Sequence, residues 1–172
     1  MLGLACGGSD SDNTSSSSSG GVPDSGPRGV EPAGQSCTAP TQCYGGVVEA
    51  GADSAAIVGT VTCLDKVTNG YCTHTCTQDT DCCAVPGECR TSVMQVCSPF
   101  TNQTALYCFL SCEDADIAKA IAANASAGYY DGGATEAGST ADAYCASFAG
   151  ASTSCRSSGG GTKNRKVCIP KE

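Results

Sequence analysis

The segment "GYCTHTCTQDTDCCAVPGEC", residues 70–89, holds five cysteines, three acids and the only histidine of the chain, His74. Such groups serve three chemistries: metal binding through thiolates and imidazole, thiol–disulfide redox work, and covalent cross-linking. A structural zinc site would take Cys72, His74, Cys76 and Cys82, but the C-x2-C pairs that favour zinc occur nowhere in the chain. The same absence removes the C-x-x-C centre of a disulfide oxidoreductase. His74 lies two residues from a cysteine on each side, in a segment expected to be locked by bridges, and is read as a solvent-facing loop residue. No G-x-S-x-G, P-loop or dinucleotide fingerprint is present. The acidic runs "QDTD" and "EDAD" carry calcium-type oxygens without the regular D-x-D-x-D-G loop, and are read as solvated turns and a helix start. No catalytic residue, metal or cofactor is assigned, and the expectation is a protein without enzymatic activity.

Cross-linking remains. Of 15 cysteines in 172 residues, Cys6 stands alone. The others, Cys37, Cys43, Cys63, Cys72, Cys76, Cys82, Cys83, Cys89, Cys97, Cys108, Cys112, Cys145, Cys155 and Cys168, are even in number and are expected to form seven bridges. Adjacent Cys82 and Cys83 are expected to bond to different partners, while the rest of the connectivity stays open. Bridges persist outside a reducing cytosol, so the chain is expected in a cell envelope, on a surface or secreted. They are also needed. Leu, Ile, Val and Phe number 23 of 172 with no Trp, well under the share of about 20% that ordinary cores require. Each bridge constrains the unfolded chain by about 2–4 kcal/mol and offsets that deficit.

The chain opens "MLGLACGGSDSDNTSSSSSGG". "LGLAC" followed by "GGSDSD" resembles the end of a bacterial lipoprotein signal, in which a small-residue stretch precedes a cysteine that becomes lipidated. Leu2 and Leu4 flank the place where that family carries its leucine, here Gly3. The resemblance implies that residues 1–6 are the remnant of a truncated signal, that Cys6 is the lipidation site, and that the partner is a membrane reached through the lipid. Residues 7–36, rich in Ser, Gly and Pro and carrying Asp10, Asp12, Asp24 and Glu31, read as a disordered, solvated tether.

Residues 37–172 read as a single cysteine-rich domain. The expected fold is small and disulfide-rich, mainly irregular and β with short hairpins, plus two short helices in the C-terminal third. The β-leaning runs are "YGGVVEA", "AAIVGTVTCL", "SVMQVC" and "TALYCFL". An internal echo relates residues 63–82 to residues 97–116: Cys63, Cys72 and Cys76 are spaced C-x8-C-x3-C, and Cys97, Cys108 and Cys112 C-x10-C-x3-C. "EDADIAKAIAANA" predicts one helix, with Ile117 and Ile121 on the face that rests on the body. "STADAYCASFAG" predicts a second, capped by Ser139 or Thr140, with Tyr144, Cys145 and Phe148 turned inward. The segment from Cys155 to Cys168 predicts a hairpin with glycines at its tip.

Charge excludes one partner class and leaves others. Residues 37–155 hold twelve acids and three bases, while Arg156, Lys163, Arg165, Lys166 and Lys171 crowd the C-terminus. An acidic protein of the envelope is not expected to bind nucleic acid, and the basic tail reads as internal neutralisation. "CTQDTDCC" also resembles the C-x2-D-x-D-C element of four-disulfide-core modules, around Asp79, Asp81, Cys82 and Cys83. That resemblance implies an alternative, a secreted protease-inhibitor-like or toxin-like module, with "AVPGE" as its exposed loop. The leading expectation is a lipid-anchored cell-envelope protein, at the outer membrane or cell surface, that presents a binding surface to an unknown protein or glycan. It resembles the cysteine-rich surface lipoproteins of bacteria, most without assigned activity.

Overall fold

The computed structural model describes residues 31–48, 56–101, 103–125, 141–150, 152–159 and 161–171. Cys6, most of the tether and the caps Ser139 and Thr140 lie outside them. Among the described residues, six strands form three antiparallel hairpins: β1 (Val61–Cys63) with β2 (Cys72–Cys76), β3 (Gln95–Pro99) with β4 (Leu106–Leu110), and β5 (Thr153–Ser157) with β6 (Lys166–Pro170). The first two hairpins join through β2 and β4 into a four-stranded sheet of order β1-β2-β4-β3. A bridge between Ser111 and Val167 ties the third hairpin to the end of β4.

Each hairpin places two half-cystines directly opposite each other, Cys63 against Cys72, Cys97 against Cys108, and Cys155 against Cys168. None bonds to the cysteine it faces. The bridges run instead to a preceding pair: Cys37–Cys63 with Cys43–Cys72, Cys76–Cys97 with Cys82–Cys108, and Cys112–Cys155 with Cys145–Cys168. Numbering the four cysteines of each unit in chain order, first bonds to third and second to fourth. The chain therefore holds three such units in tandem. The echo between residues 63–82 and 97–116 straddles units, because each copy begins with one unit's hairpin and ends in the start of the next unit.

The first two units share more than cysteines. "CTAPTQC" and "CTQDTDC" each carry a single 3-10 turn, Pro40–Gln42 and Asp79–Asp81. In one, the Gln42 side-chain oxygen accepts from the Thr38 and Ala39 amides at 2.6 and 3.3 Å. In the other, Asp81 accepts from the Thr77 and Gln78 amides at 2.8 and 3.2 Å. A side chain at the end of the turn thus satisfies the donors at its start. The third unit replaces this turn by a longer insertion holding α2 (Asp114–Ala125) and α3 (Ala141–Ala149). Asp114 and Asp116 sit in the first turn of α2, where the helix dipole favours them. Tyr144, Cys145 and Phe148 of α3 are fully buried, and Ile117 of α2 packs against the same cluster.

The core is sulfur and a few rings. Phe109 lies 5.3 Å from Tyr71 and 6.0 Å from Phe100, centroid to centroid, joining the loop ends of the first two hairpins. Two expectations are corrected. "YGGVVEA" yields no strand over its described part: Tyr44 turns the chain at φ 58°, and Gly45–Val48 form one helical turn, α1, that buries Val47. The β preference of valine yields to this turn and to the bridge at Cys43. The ordered body also starts before Cys37. Glu31 and Ala33 are fully buried, and Gly34 and Gln35 exchange backbone hydrogen bonds with Cys72. Residues 31–36 therefore belong to the body and not to a solvated tether.

Gly70 sits at φ +67°, and a Cβ there would meet the Cys37 carbonyl oxygen at 2.0 Å. Replacement by Ala forces the Cys37–Cys63 bridge and the first hairpin apart. The expected outcome is a loss of about 2–3 kcal/mol in denaturant unfolding, with free thiol traceable to Cys37 or Cys63.

Candidate functional site

Residues i, i+2 and i+4 of a strand share a face. On β2 these are Cys72, His74 and Cys76, and two of them carry bridges into the interior. His74 must follow them. Its side chain is fully buried, with Tyr44 and Glu88 of the loop 83–89 against it, so the expectation of a solvent-facing histidine is overturned. Nε2 donates to Glu88 Oε1 at 2.6 Å, and Nδ1 lies 2.8 Å from the Val58 carbonyl and 3.1 Å from that of Thr75. All three partners are acceptors. A proton on each ring nitrogen matches these acceptors, so the surroundings favour the imidazolium.

Glu88 completes the arrangement. Its carboxylate also accepts from the backbone amides of Cys83 at 2.9 Å and Val85 at 3.1 Å. The Tyr44 ring stands edge-on to the imidazole at 5.6 Å. Burial disfavours the imidazolium, but the Glu88 hydrogen bond and charge, with the two carbonyls, outweigh it and raise the His74 pKa. Burial likewise opposes the carboxylate, and the His74 and amide hydrogen bonds outweigh it and lower the Glu88 pKa. Both ring nitrogens are engaged and the side chain is fully buried, so His74 and Glu88 form an interior pair.

The other acids are similarly employed. Asp79 Oδ1 accepts from the Cys97 amide and Asp142 Oδ1 from the Cys155 amide, both at 2.8 Å. Each acid lies three residues before the second cysteine of its unit and holds the third in place. Asp79 also pairs with Arg165 at 3.3 Å, one instance of the basic C-terminus neutralising the body. Asp81 is half-buried, and its capping bonds from Thr77 and Gln78 lower its pKa. Glu31, buried, accepts from the amides of Arg90 and Thr91 at 2.9 and 2.6 Å and from the Thr91 hydroxyl. Burial nevertheless raises its pKa.

Sulfur atoms converge in three groups: Cys37, Cys43 and Cys72; Cys76, Cys82 and Cys97; Cys112, Cys145 and Cys168. Every member is bridged, so none of these sulfurs is a thiolate ligand. Loop residues of the first two hairpins and strand residues of the third line a cleft of about 300 Å³, with Val67, Phe100 and Ile169 among its apolar residues and Lys66 and Arg156 among its charged ones. No family model, curated protein or solved structure matches the chain.

Residue reasoning singled out His74 without its partner. The signal lay in "YCTHTC", where alternation places His74 on the bridged face, and a buried imidazole needs an acceptor for each N–H.

The sign of the pH dependence follows from the two shifts. His74, raised above its ordinary 6.5, contributes stability present below that value and lost as pH rises through the folded pKa. Glu88, lowered from 4.5, contributes stability present above that value and lost as pH falls through the folded pKa. Thermal unfolding followed across pH should give maximal stability in the mildly acidic window between them. Glu88→Gln should flatten the alkaline arm, and His74→Ala, which strands the carboxylate, should cost about 3–5 kcal/mol.

Proposed function

We propose that this chain is a non-enzymatic, lipid-anchored protein of the cell envelope, at the outer membrane or cell surface, whose disulfide-stabilised body presents a rigid surface for binding. One observation carries the reading: all fourteen cysteines from Cys37 onward are bridged, in three repeated crossed pairs and one further loop. Such a scheme is maintained outside a reducing cytosol. No helix among the described residues is long and apolar enough to cross a membrane. In this reading the attachment is through Cys6 in the lipobox-like "LGLAC". The cleft is lined by residues of all three units, and a protein or glycan partner would be met there.

The alternative of an inhibitory module requires a loop that projects side chains into a protease. The loop closed by Cys83–Cys89 turns Val85 and Glu88 inward and leaves Ala84, Pro86 and Gly87 outside. That geometry favours the first reading.

The test is the intact mass of the native protein after denaturation and alkylation without reductant. The expected spectrum carries no alkyl group from Cys37 onward and a diacylglycerol-sized increment at Cys6, lost in Cys6→Ser. Several free thiols in the body would refute the envelope reading, and an unmodified Cys6 in exported protein would refute the anchor.

A further inference from the structure

Six of the seven bridges belong to the crossed pairs, and each has at least one buried cysteine. Cys83–Cys89 differs in three respects. It lies outside the repeated scheme and closes a separation of six residues, against 21 to 43 for the others. Neither of its cysteines is buried, and Cys83 is the one exposed half-cystine among the described residues. Cys83 also holds φ 101°, a left-handed conformation costly for a residue with a side chain.

The loop it closes has an inward task. Glu88 precedes Cys89 by one residue and takes the Cys83 amide as a donor, so the bridge fixes both ends of the segment that holds the carboxylate on His74. Among the described residues, Glu88 is the one charged group paired with the imidazole. The remaining neighbours are the Val58 and Thr75 carbonyls, the Tyr44 ring and the Cys108 sulfur at 3.9 Å.

We propose that Cys83–Cys89 is a thiol-exchange site, open to a dithiol reductant of the envelope, and that its opening releases Glu88 from His74 while the crossed pairs stay closed. A donor thiolate attacks the Cys83 sulfur, the S–S bond breaks, and its electron pair leaves on Cys89, which takes up a proton. The second thiol of the donor then attacks the mixed disulfide and leaves with it as the donor's own disulfide, returning Cys83 as a thiol. Two electrons pass from donor to bridge. The exposed residue controls access, because exchange requires approach along the S–S bond. Each of the other six bridges keeps at least one buried half-cystine and none has an exposed one, so they are expected to react more slowly.

The experiment is graded reduction of the native, full-length protein with dithiothreitol, followed by alkylation and peptide mapping. The first two alkyl groups are expected on Cys83 and Cys89, at a rate at least about tenfold above that of the next bridge. In parallel, the His74 ring proton is followed by NMR across pH. In the partly reduced protein its midpoint should fall from the raised value, as it should in Glu88→Gln. First alkylation at any other bridge, or loss of all seven together, overturns the exchange site. Selective reduction with an unchanged His74 midpoint overturns the release of Glu88. Because both readouts use the wild-type chain, a failure of Cys83→Ser/Cys89→Ser to fold leaves the result decisive.

Discussion

Two half-cystines face each other across every hairpin, and each is bonded away from the other. This crossed pairing is the constraint on which the rest of the structure depends. A bridge directly across a hairpin would fix only what the strand ladder already fixes. Bonding both cysteines to an earlier segment instead closes loops of 21 to 43 residues, each removing roughly 3–4 kcal/mol of unfolded-state entropy on the chain model. Such links let 23 Leu, Ile, Val and Phe residues suffice for a chain of 172. They also explain where the polar side chains go. Once the second and third cysteines of a unit must lie together, an Asp three residues before the second can reach the third one's amide, as Asp79 and Asp142 do.

Much of this was legible in the sequence. The even cysteine count, the β-leaning runs "SVMQVC" and "TALYCFL", the hairpin from Cys155 to Cys168, and the inward set Tyr144, Cys145 and Phe148 all follow from spacing and periodicity. The third unit did not show, because an insertion separates Cys112 from Cys145 where its neighbours have six residues from Cys37 to Cys43 and from Cys76 to Cys82. Spacing registers repeats only when their loops are of similar length, whereas bridges register them whatever the insertion. The connectivity itself was beyond reach, since nothing local distinguishes one half-cystine from another.

The candidate site was half legible for a different reason. The type and isolation of His74 drew attention, but its environment depends on Glu88, fourteen residues on, being swung inward by a loop that a bridge closes. Glu31 was misplaced in the same way. A carboxylate in a Ser/Gly/Pro stretch reads as solvated, and its burial depends on amides of Arg90 and Thr91 supplied from far along the chain. Both errors concern charges whose partners become neighbours only after the covalent frame is set. In each case the burial cost is met by several hydrogen bonds to one carboxylate, which is the condition for keeping a charge inside.

The short segment before Cys37 touches every unit. Glu31 receives amides of the second unit and donates its own N–H to Phe148 of the third, while Gly34, Gln35 and Cys37 bond to the first. A mechanical pull entering at residue 31 is therefore shared at once among the three units. It can peel no more than the residues up to Cys37, where a covalent bond to Cys63 stops the extension. The body would transmit force as a single stiff piece, with a compliant fuse of six residues at its leading edge.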